Sequence, residues 1–218
     1  MSAHHAVADI LTPASREEVR STARKFMTRQ RLRTALMGVG DGTGVVNSMQ
    51  RDLLAIEQHL ESANRFLFGT RPSLADFAIH GQIAQLVVDG EPSSWLRENT
   101  PRLFAWALAL EESSGIEGLW ADLSDGVHPV VTSMLKNIGR YYLPYLVANA
   151  EAFDKGLSEF EYSLPGGDVV SQPPIDHQRE SLKEIQGRYA GLSTRAKAKL
   201  EDILIETNTL PFLSQQTI

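Results

Sequence analysis

A single stretch of sequence decides the fold: Phe66-Leu-Phe-Gly-Thr-Arg-Pro-Ser-Leu-Ala-Asp-Phe-Ala78. Ser73 has the short hydroxyl side chain of a helix N-cap. Asp76 follows three residues later, where its carboxylate can accept a hydrogen bond from the N-cap amide. This is a capping box with Asp in place of the usual Glu, and Pro72 and Phe77 occupy the positions of a hydrophobic staple. The pattern predicts a helix that begins after Ser73 and gives Ser73, Asp76 and Phe77 a structural role.

The helix predicted from this cap is apolar almost all round, from Leu74 to Val87. A helix without a polar face is expected in the middle of a helical bundle. Its first N–H groups then need a cap, because water does not reach a buried helix end. The stretch therefore predicts a mainly α-helical bundle.

Further helices are predicted on both sides of this stretch. Apolar residues at helical spacing predict helices at Arg16–Leu36 and Asn47–Asn64. The glycine-rich segment 38–44 between them is expected to be a connector, since it lacks the Lys and hydroxyl ending of a phosphate-binding loop. After the central helix, shorter helices are predicted at Ser93–Glu98 and Pro101–Ser113.

The second half of the chain predicts a long helix, a hairpin and two more helices. The long helix, Val127–Phe153, is expected to bend near Pro144 because proline lacks the backbone N–H. Alternating residues on both sides of a Pro-Gly-Gly-Asp turn predict a β-hairpin within residues 158–172. The last two helices are predicted at Ile175–Ala190 and Thr194–Glu206.

Composition excludes several classes of function. The 218 residues carry 21 Lys and Arg against 27 Asp and Glu, a net charge of −6, whereas nucleic-acid binders usually carry a basic excess. Cysteine is absent, which excludes disulfides and cysteine nucleophiles. We find no metal-ligand spacing, and no apolar run approaches the roughly 20 residues that span a bilayer. A cytoplasmic protein with no nucleic-acid, membrane or metal partner is expected.

A family resemblance follows from these motifs. The sequence pattern resembles the C-terminal helical domain of glutathione S-transferases. It consists of Leu53 and Leu60 on the second predicted helix, followed by the Phe66–Asp76 motif. That domain has the pattern helix, F-L-x-G-x-x-x-S-x-A-D, buried helix. Thr100–Trp106 is similar to the family's P-x-L-x-x-W segment, and Gly139–Asn149 begins a region similar to an extension of some bacterial members.

The resemblance implies a division of the chain into three parts. Residues 1–15 are expected to be a lead-in, and residues 16–113 the transferase-like helical domain. Residues 114–218 are expected to form a helical extension with the hairpin, packed on the same body.

The resemblance also sets the functional expectation. In the family, a thioredoxin-like N-terminal half carries the residue that activates the glutathione thiol, and residues 1–15 are too short to form it. We therefore expect no catalytic residue and no cofactor within this chain, and glutathione binding only with a thioredoxin-like domain. The expected function is a ligand-binding or interaction module without conjugating activity of its own.

Two alternatives stay open at this stage. The chain could be the C-terminal part of an active transferase of alkyl or aryl groups, whose thioredoxin-like half is truncated or supplied by another chain. It could instead be a structural dimerisation module. The partners that these hypotheses imply are a second copy, a thioredoxin-like domain, or a small hydrophobic or anionic ligand.

Two groups of residues are candidates for a ligand cleft. In the family, the first helix of this domain faces the cleft. Here residues 16–33 hold seven Arg or Lys against two Glu, a net charge of +5, so guanidinium groups could bind an anion unless they form a solvated basic face. The members of the second group follow one another at intervals of four residues on a predicted helix, so their side chains share one face. A tyrosine hydroxyl on that face could donate a hydrogen bond to a ligand, or the tyrosines could pack at the boundary of the core. The candidates are Arg24, Thr28, Arg29 and Arg31, and then Tyr141, Tyr145 and Asn149.

Overall fold

The computed structural model describes residues 15–36, 43–62, 64–122, 126–163 and 169–214, with the side chains of 30–36 and 43 excepted. The lead-in before Ser15, most of the glycine-rich connector and the turn of the hairpin lie outside this range. Within it the chain divides into two compact units. The first contains the residues up to Arg33 and from Val45 to Asp122, and the second contains the others.

The described residues of the first unit form five helices. They are α1 (Arg16–Leu36), α2 (Thr43–His59), α3 (Leu74–Val87), α4 (Gly90–Asn99) and α5 (Pro101–Glu111). The second helix begins four residues earlier and ends five residues earlier than its apolar pattern predicts. The prediction of a mainly α-helical bundle is confirmed for this unit.

Helices α3, α4 and α5 pack against one another. On α5, Leu103, Ala107 and Leu110 recur at helical spacing and are all buried. Pro101 stands at the start of that helix, where its missing N–H costs nothing. The unit's buried apolar side chains also include Leu53, Ile56, Phe66, Leu67, Ile83 and Leu96.

The prediction that α3 is buried on all sides is wrong. The side chains of Leu74 and Phe77 are 73% and 45% exposed, and the buried residues of the helix are Asp76 and Ile83. The physical reason is that α4 and α5 pack on one side of α3 and leave an apolar strip open on the other. Phe77 is therefore a largely exposed residue, although it stands at the staple position.

The boundary of the first unit lies beyond the predicted helical domain. Residues 118–121 run back to the turn before α3, where the Thr70 amide donates to the Leu119 carbonyl at 2.9 Å and the Ala121 amide donates to the Phe68 carbonyl at 2.8 Å. These bonds explain why the first unit extends to Asp122 instead of ending at Ser113. That residues 114–218 pack on the same body stays a prediction.

The second unit combines helices with the predicted hairpin. Its helices are α6 (Pro129–Asn137), α7 (Leu143–Asp154), α8 (Asp176–Ala190), α9 (Thr194–Glu206) and α10 (Leu210–Ser214). Strands β1 (Phe160–Ser163) and β2 (Val169–Gln172) pair antiparallel, with Phe160 opposite Gln172. The core of this unit contains Leu143, Leu146, Ala150 and Leu182.

The predicted long helix is continuous, but it contains a π-helical turn at Ile138–Tyr142. Pro144 follows this turn directly and cannot donate a hydrogen bond, and its ring would crowd the carbonyl one α-helical turn earlier. The wider turn adapts the helix to the proline, since the Leu143 amide bonds to the Ile138 carbonyl five residues back. The expected distortion is therefore a local widening before Pro144.

No helix in the described part of the chain has the length and apolar composition needed to span a bilayer.

Candidate functional site

The buried carboxylate of Asp76 organises the turn before α3. Its Oδ2 accepts from the Ser73 amide at 2.8 Å, and the Ser73 hydroxyl in turn accepts from the Asp76 amide at 3.3 Å. The predicted capping box is therefore present. In addition, Asp76 Oδ1 accepts from the Leu67 amide at 2.9 Å. Asp76 is 1% exposed, and each of its carboxylate oxygens accepts at least one hydrogen bond, Oδ1 from the Leu67 amide and Oδ2 from the amide and hydroxyl of Ser73.

A second buried carboxylate, Glu57, holds the first turn of α5. Its oxygens accept from the backbone amides of Arg102 at 3.2 Å and Leu103 at 2.8 Å, and Oε1 also accepts from the Arg102 guanidinium at 3.2 Å. Two unsatisfied N–H groups at a helix start are thus bonded by a side chain from α2. The same guanidinium reaches Glu61 at 3.3 Å. Glu57 thereby fixes the C-terminal end of α2 next to α5.

A pocket lies where the end of α2 meets α5. Its volume is about 330 Å³, within the range of small-molecule sites. We call it the first pocket. Its walls are mostly apolar, with two arginines and a tryptophan as the polar groups: the lining residues are Leu60, Arg65, Phe66, Arg102, Ala105, Trp106, Ala109, Leu110 and Ile116.

Trp106 lines this wall and carries a buried hydrogen-bond donor. Its indole Nε1 is buried and has no hydrogen-bond acceptor among the described residues. The His80 ring packs edge-on to the indole, with 6.4 Å between centroids, and bonds to the Ala107 carbonyl at 3.0 Å. A buried donor without a partner costs about 1–3 kcal/mol.

The two arginines of the first pocket differ in their partners. Arg102 is shared between Glu57 and Glu61, so its charge is largely compensated. Arg65 has no carboxylate within 4 Å among the described residues, and its guanidinium lies 5.9 Å from the centre of the Phe66 ring. The uncompensated positive charge of the pocket is therefore that of Arg65.

The predicted cleft residues of α1 do not line this pocket. Arg24 is exposed and forms a surface ion pair with Glu17 at 3.2 Å. Thr28 and Arg29 are exposed, and the side chain of Arg31 lies outside the described residues. The structure therefore places the three described residues on the exposed surface of α1.

Tyr145 lies in an aromatic cluster of the second unit. Its ring centre is 4.6 Å from that of Tyr162 and 5.9 Å from that of Phe160. The Gln172 side chain donates to its hydroxyl at 3.1 Å. Burial raises the pKa of the Tyr145 and Tyr162 phenols. These contacts join α7 to the hairpin, and the Tyr141 ring contacts the Arg140 guanidinium instead.

Asn149, which the sequence predicts as a ligand-cleft residue, lies in the interior of the second unit. Asn149 is fully buried, and its amide nitrogen donates to the Ile175 carbonyl at 2.9 Å. Its amide oxygen accepts from the Ile175 amide at 2.7 Å. Both polar groups are therefore used to hold the chain segment that precedes α8, and Asn149 is a structural residue.

Sequence reasoning missed the residues of the first pocket. Neither Arg65 nor Trp106 is among the candidate ligand residues that the sequence predicts. One feature of the sequence could have pointed to the pocket. Arg65 and Arg102 lie next to apolar helix ends, and neither has an Asp or Glu directly beside it in the sequence. That signal is weak, because only the fold brings the two segments together.

Comparison with known families agrees with the architecture of the first unit. The family model described as "Glutathione S-transferase, C-terminal domain" matches residues 15–109. No curated protein and no solved structure was found to match the chain. The matched segment contains the capping box at Ser73 and nearly all of the first pocket. Residues 15–109 of this chain are therefore similar to the C-terminal domain of glutathione S-transferases.

Proposed function

We propose that this protein is a glutathione S-transferase-like ligand-binding module that does not conjugate glutathione by itself. The observation that carries the proposal is the first pocket, with its unpartnered Trp106 donor and the uncompensated charge of Arg65. Apolar walls with a few convergent polar groups are the usual make-up of a small-molecule site. A flat hydrophobic anion, such as an aryl carboxylate, matches both the walls and the polar groups.

The absence of independent conjugation is supported by the state of the ionisable groups. In the first unit, Asp76 and Glu57 are bonded to backbone amides, and His80 is bonded to a carbonyl and lies 3.2 Å from Glu111. A group that activates a thiol needs a free acceptor or donor directed at the substrate. These three groups are instead occupied by the fold.

The experiment is calorimetric titration of the purified chain with naphthoate and with its neutral amide. We expect naphthoate to bind more tightly than the amide, because the carboxylate contacts Arg65. Arg65→Gln should weaken naphthoate binding roughly fivefold, in the range of a partly exposed ion pair. Arg24→Gln, a surface control outside the pocket, should leave the affinity unchanged. Equal affinities in all three proteins would overturn the proposal.

A glutathione-conjugation assay tests the second part of the proposal. The purified chain is incubated with glutathione and an electrophilic halonitrobenzene, next to an intact transferase. We expect a rate no higher than the uncatalysed reaction. Turnover comparable to that of the intact enzyme would show that the chain is an active transferase.

A second candidate role is association through the open strip of α3. Leu74 and Phe77 are exposed there, and Phe68, Leu119 and Trp120 are exposed on the adjoining turn and loop. Apolar side chains of this size favour an interaction surface when they are contiguous. The occupants to be tested are a second copy of the chain and a thioredoxin-like domain. Light scattering after size-exclusion chromatography, with Leu74→Glu as the variant, separates a dimer from a monomer.

A cytoplasmic location stays a prediction.

A further inference from the structure

A second pocket in the first unit has a different chemistry from the first. It has a volume of about 320 Å³ and lies between the beginning of α2, the end of α3 and the beginning of α4. Its walls are again mostly apolar. The lining residues are Val46, Met49, Gln50, Leu53, Leu86, Glu91, Pro92, Trp95 and Leu96.

Glu91 is the one ionisable residue among those that line the second pocket. Among the described residues, its carboxylate has no side-chain nitrogen of Lys, Arg or His within 4 Å. The first pocket, by contrast, contains two arginines. The second pocket therefore carries a negative charge without an ion-pair partner at the edge of an apolar cavity, and Glu91 lies in the first turn of α4.

Trp95 lies one helical turn after Glu91 on α4, so the two side chains share a face of the helix. Both line the cavity, and Trp95 is partly buried. Indole is the aromatic ring that attracts cations most strongly. Its combination with a carboxylate on one wall is suited to a positively charged group.

The remaining walls determine what the cation must carry. Leu53 and Leu96 are buried, and Met49 is an unbranched side chain that adapts to ligands of different shape. A fully hydrated ion gains little from such walls, because they offer no hydrogen bonds in exchange for its water. A cation with an apolar body gains from both parts of the pocket.

We propose that the second pocket binds a hydrophobic ammonium, either a protonated amine or a quaternary ammonium attached to an aryl or alkyl body. Glu91 serves as the counter-ion, Trp95 contacts the cationic group, and the apolar walls hold the body. This site is independent of the first pocket and does not rest on the function proposed for it.

The test uses four probes of similar size: phenethylammonium, benzyltrimethylammonium, phenethyl alcohol and hydrocinnamate. The chain has three tryptophans, so the double variant Trp106→Phe, Trp120→Phe leaves Trp95 as the sole fluorescent reporter. Both ammonium probes should change its fluorescence in a saturable way. The alcohol should bind about fivefold more weakly, and the carboxylate more weakly still. Equal binding of all four probes would overturn the proposal.

Calorimetry on the chain with its tryptophans intact provides a readout that does not depend on the double variant. Glu91→Gln should weaken phenethylammonium binding about fivefold, in the range of a partly exposed ion pair. Glu98→Gln is the matched control, since Glu98 lies on the same helix, is exposed and does not line the cavity. Arg65→Gln, in the first pocket, should also have no effect. An unchanged affinity in Glu91→Gln would overturn the assignment of the counter-ion.

Discussion

The Asp76 carboxylate lies 2.9 Å from the backbone nitrogen of Leu67, so the side chain that caps α3 also holds the turn that precedes the helix. The turn carries Phe66, which lines the first pocket. A residue with a purely structural role therefore shapes one wall of the candidate site. This explains why the most recognisable motif of the sequence adjoins the pocket without taking part in chemistry.

Replacing Asp76 with Ala should destabilise the protein by about 2–4 kcal/mol, since it removes the cap and leaves the buried Leu67 amide without an acceptor. Ser73→Ala removes the cap hydroxyl only and should cost about 1 kcal/mol. Urea unfolding followed by circular dichroism measures both values. Equal costs for the two variants would contradict the role of the Leu67 bond.

The two glycines Gly69 and Gly81 should respond oppositely to alanine. Gly69 has φ +132°, and a Cβ there would lie 2.3 Å from the Leu119 carbonyl oxygen. We expect Gly69→Ala to destabilise by more than about 2 kcal/mol, because both the backbone at Gly69 and the neighbouring segment 119–121 must shift. Gly81 lies within α3 with open space around it, so Gly81→Ala should stabilise by about 0.5–1 kcal/mol. Thermal unfolding of both variants gives their melting temperatures. A melting temperature of Gly69→Ala equal to or higher than that of the parent protein would contradict this prediction.

Asn149→Ala should destabilise the second unit by about 1–3 kcal/mol, because it leaves the partly buried Ile175 amide without its acceptor, whereas the Ile175 carbonyl still accepts from the amides of Gln178 and Arg179. Naphthoate affinity should not change, since Asn149 contributes to the fold and not to a ligand site. Denaturant unfolding and calorimetry report the two properties separately. A loss of affinity at unchanged stability would restore Asn149 as a ligand residue.

The aromatic cluster of Tyr145 and Tyr162 should make stability depend on pH in the alkaline range. Burial raises the pKa of both phenols in the folded protein, so the folded state retains protons that the unfolded state loses. The free energy of unfolding should therefore fall as the pH rises above about 10, the ordinary value for tyrosine. Tyr145→Phe should flatten this decline when unfolding is measured at several alkaline pH values. An increase of stability over the same range would show that the sign is wrong.

Local features of the sequence predicted the elements well. The capping box at Ser73 involves residues three apart, so its pattern is visible before the chain folds. The hairpin and the helix starts at Arg16 and Pro101 rest on similarly local signals. The π-helical turn before Pro144 was foreseen only as a bend, because the proline forbids a regular turn without specifying which irregular turn replaces it.

Contacts between distant segments could not be predicted in the same way. The apolar composition of α3 shows that the helix prefers burial, but it does not show which faces have neighbours. The partner of Asn149, Ile175, lies 26 residues away, so its helix position alone left a ligand role open. The first pocket likewise joins the end of α2 to α5, and no sequence spacing marks Arg65 and Trp106 as neighbours.

The central claim, that the first pocket binds a small hydrophobic anion, is tested most directly by the indole N–H signals of the ¹⁵N-labelled protein. The spectrum should show three such signals, assigned by the variants Trp95→Phe, Trp106→Phe and Trp120→Phe. On titration with naphthoate, the Trp106 signal should move downfield and saturate, because its N–H gains an acceptor, while the signals of Trp95 and Trp120 stay in place. A titration that moves the Trp95 or Trp120 signal and leaves that of Trp106 unchanged would contradict the claim.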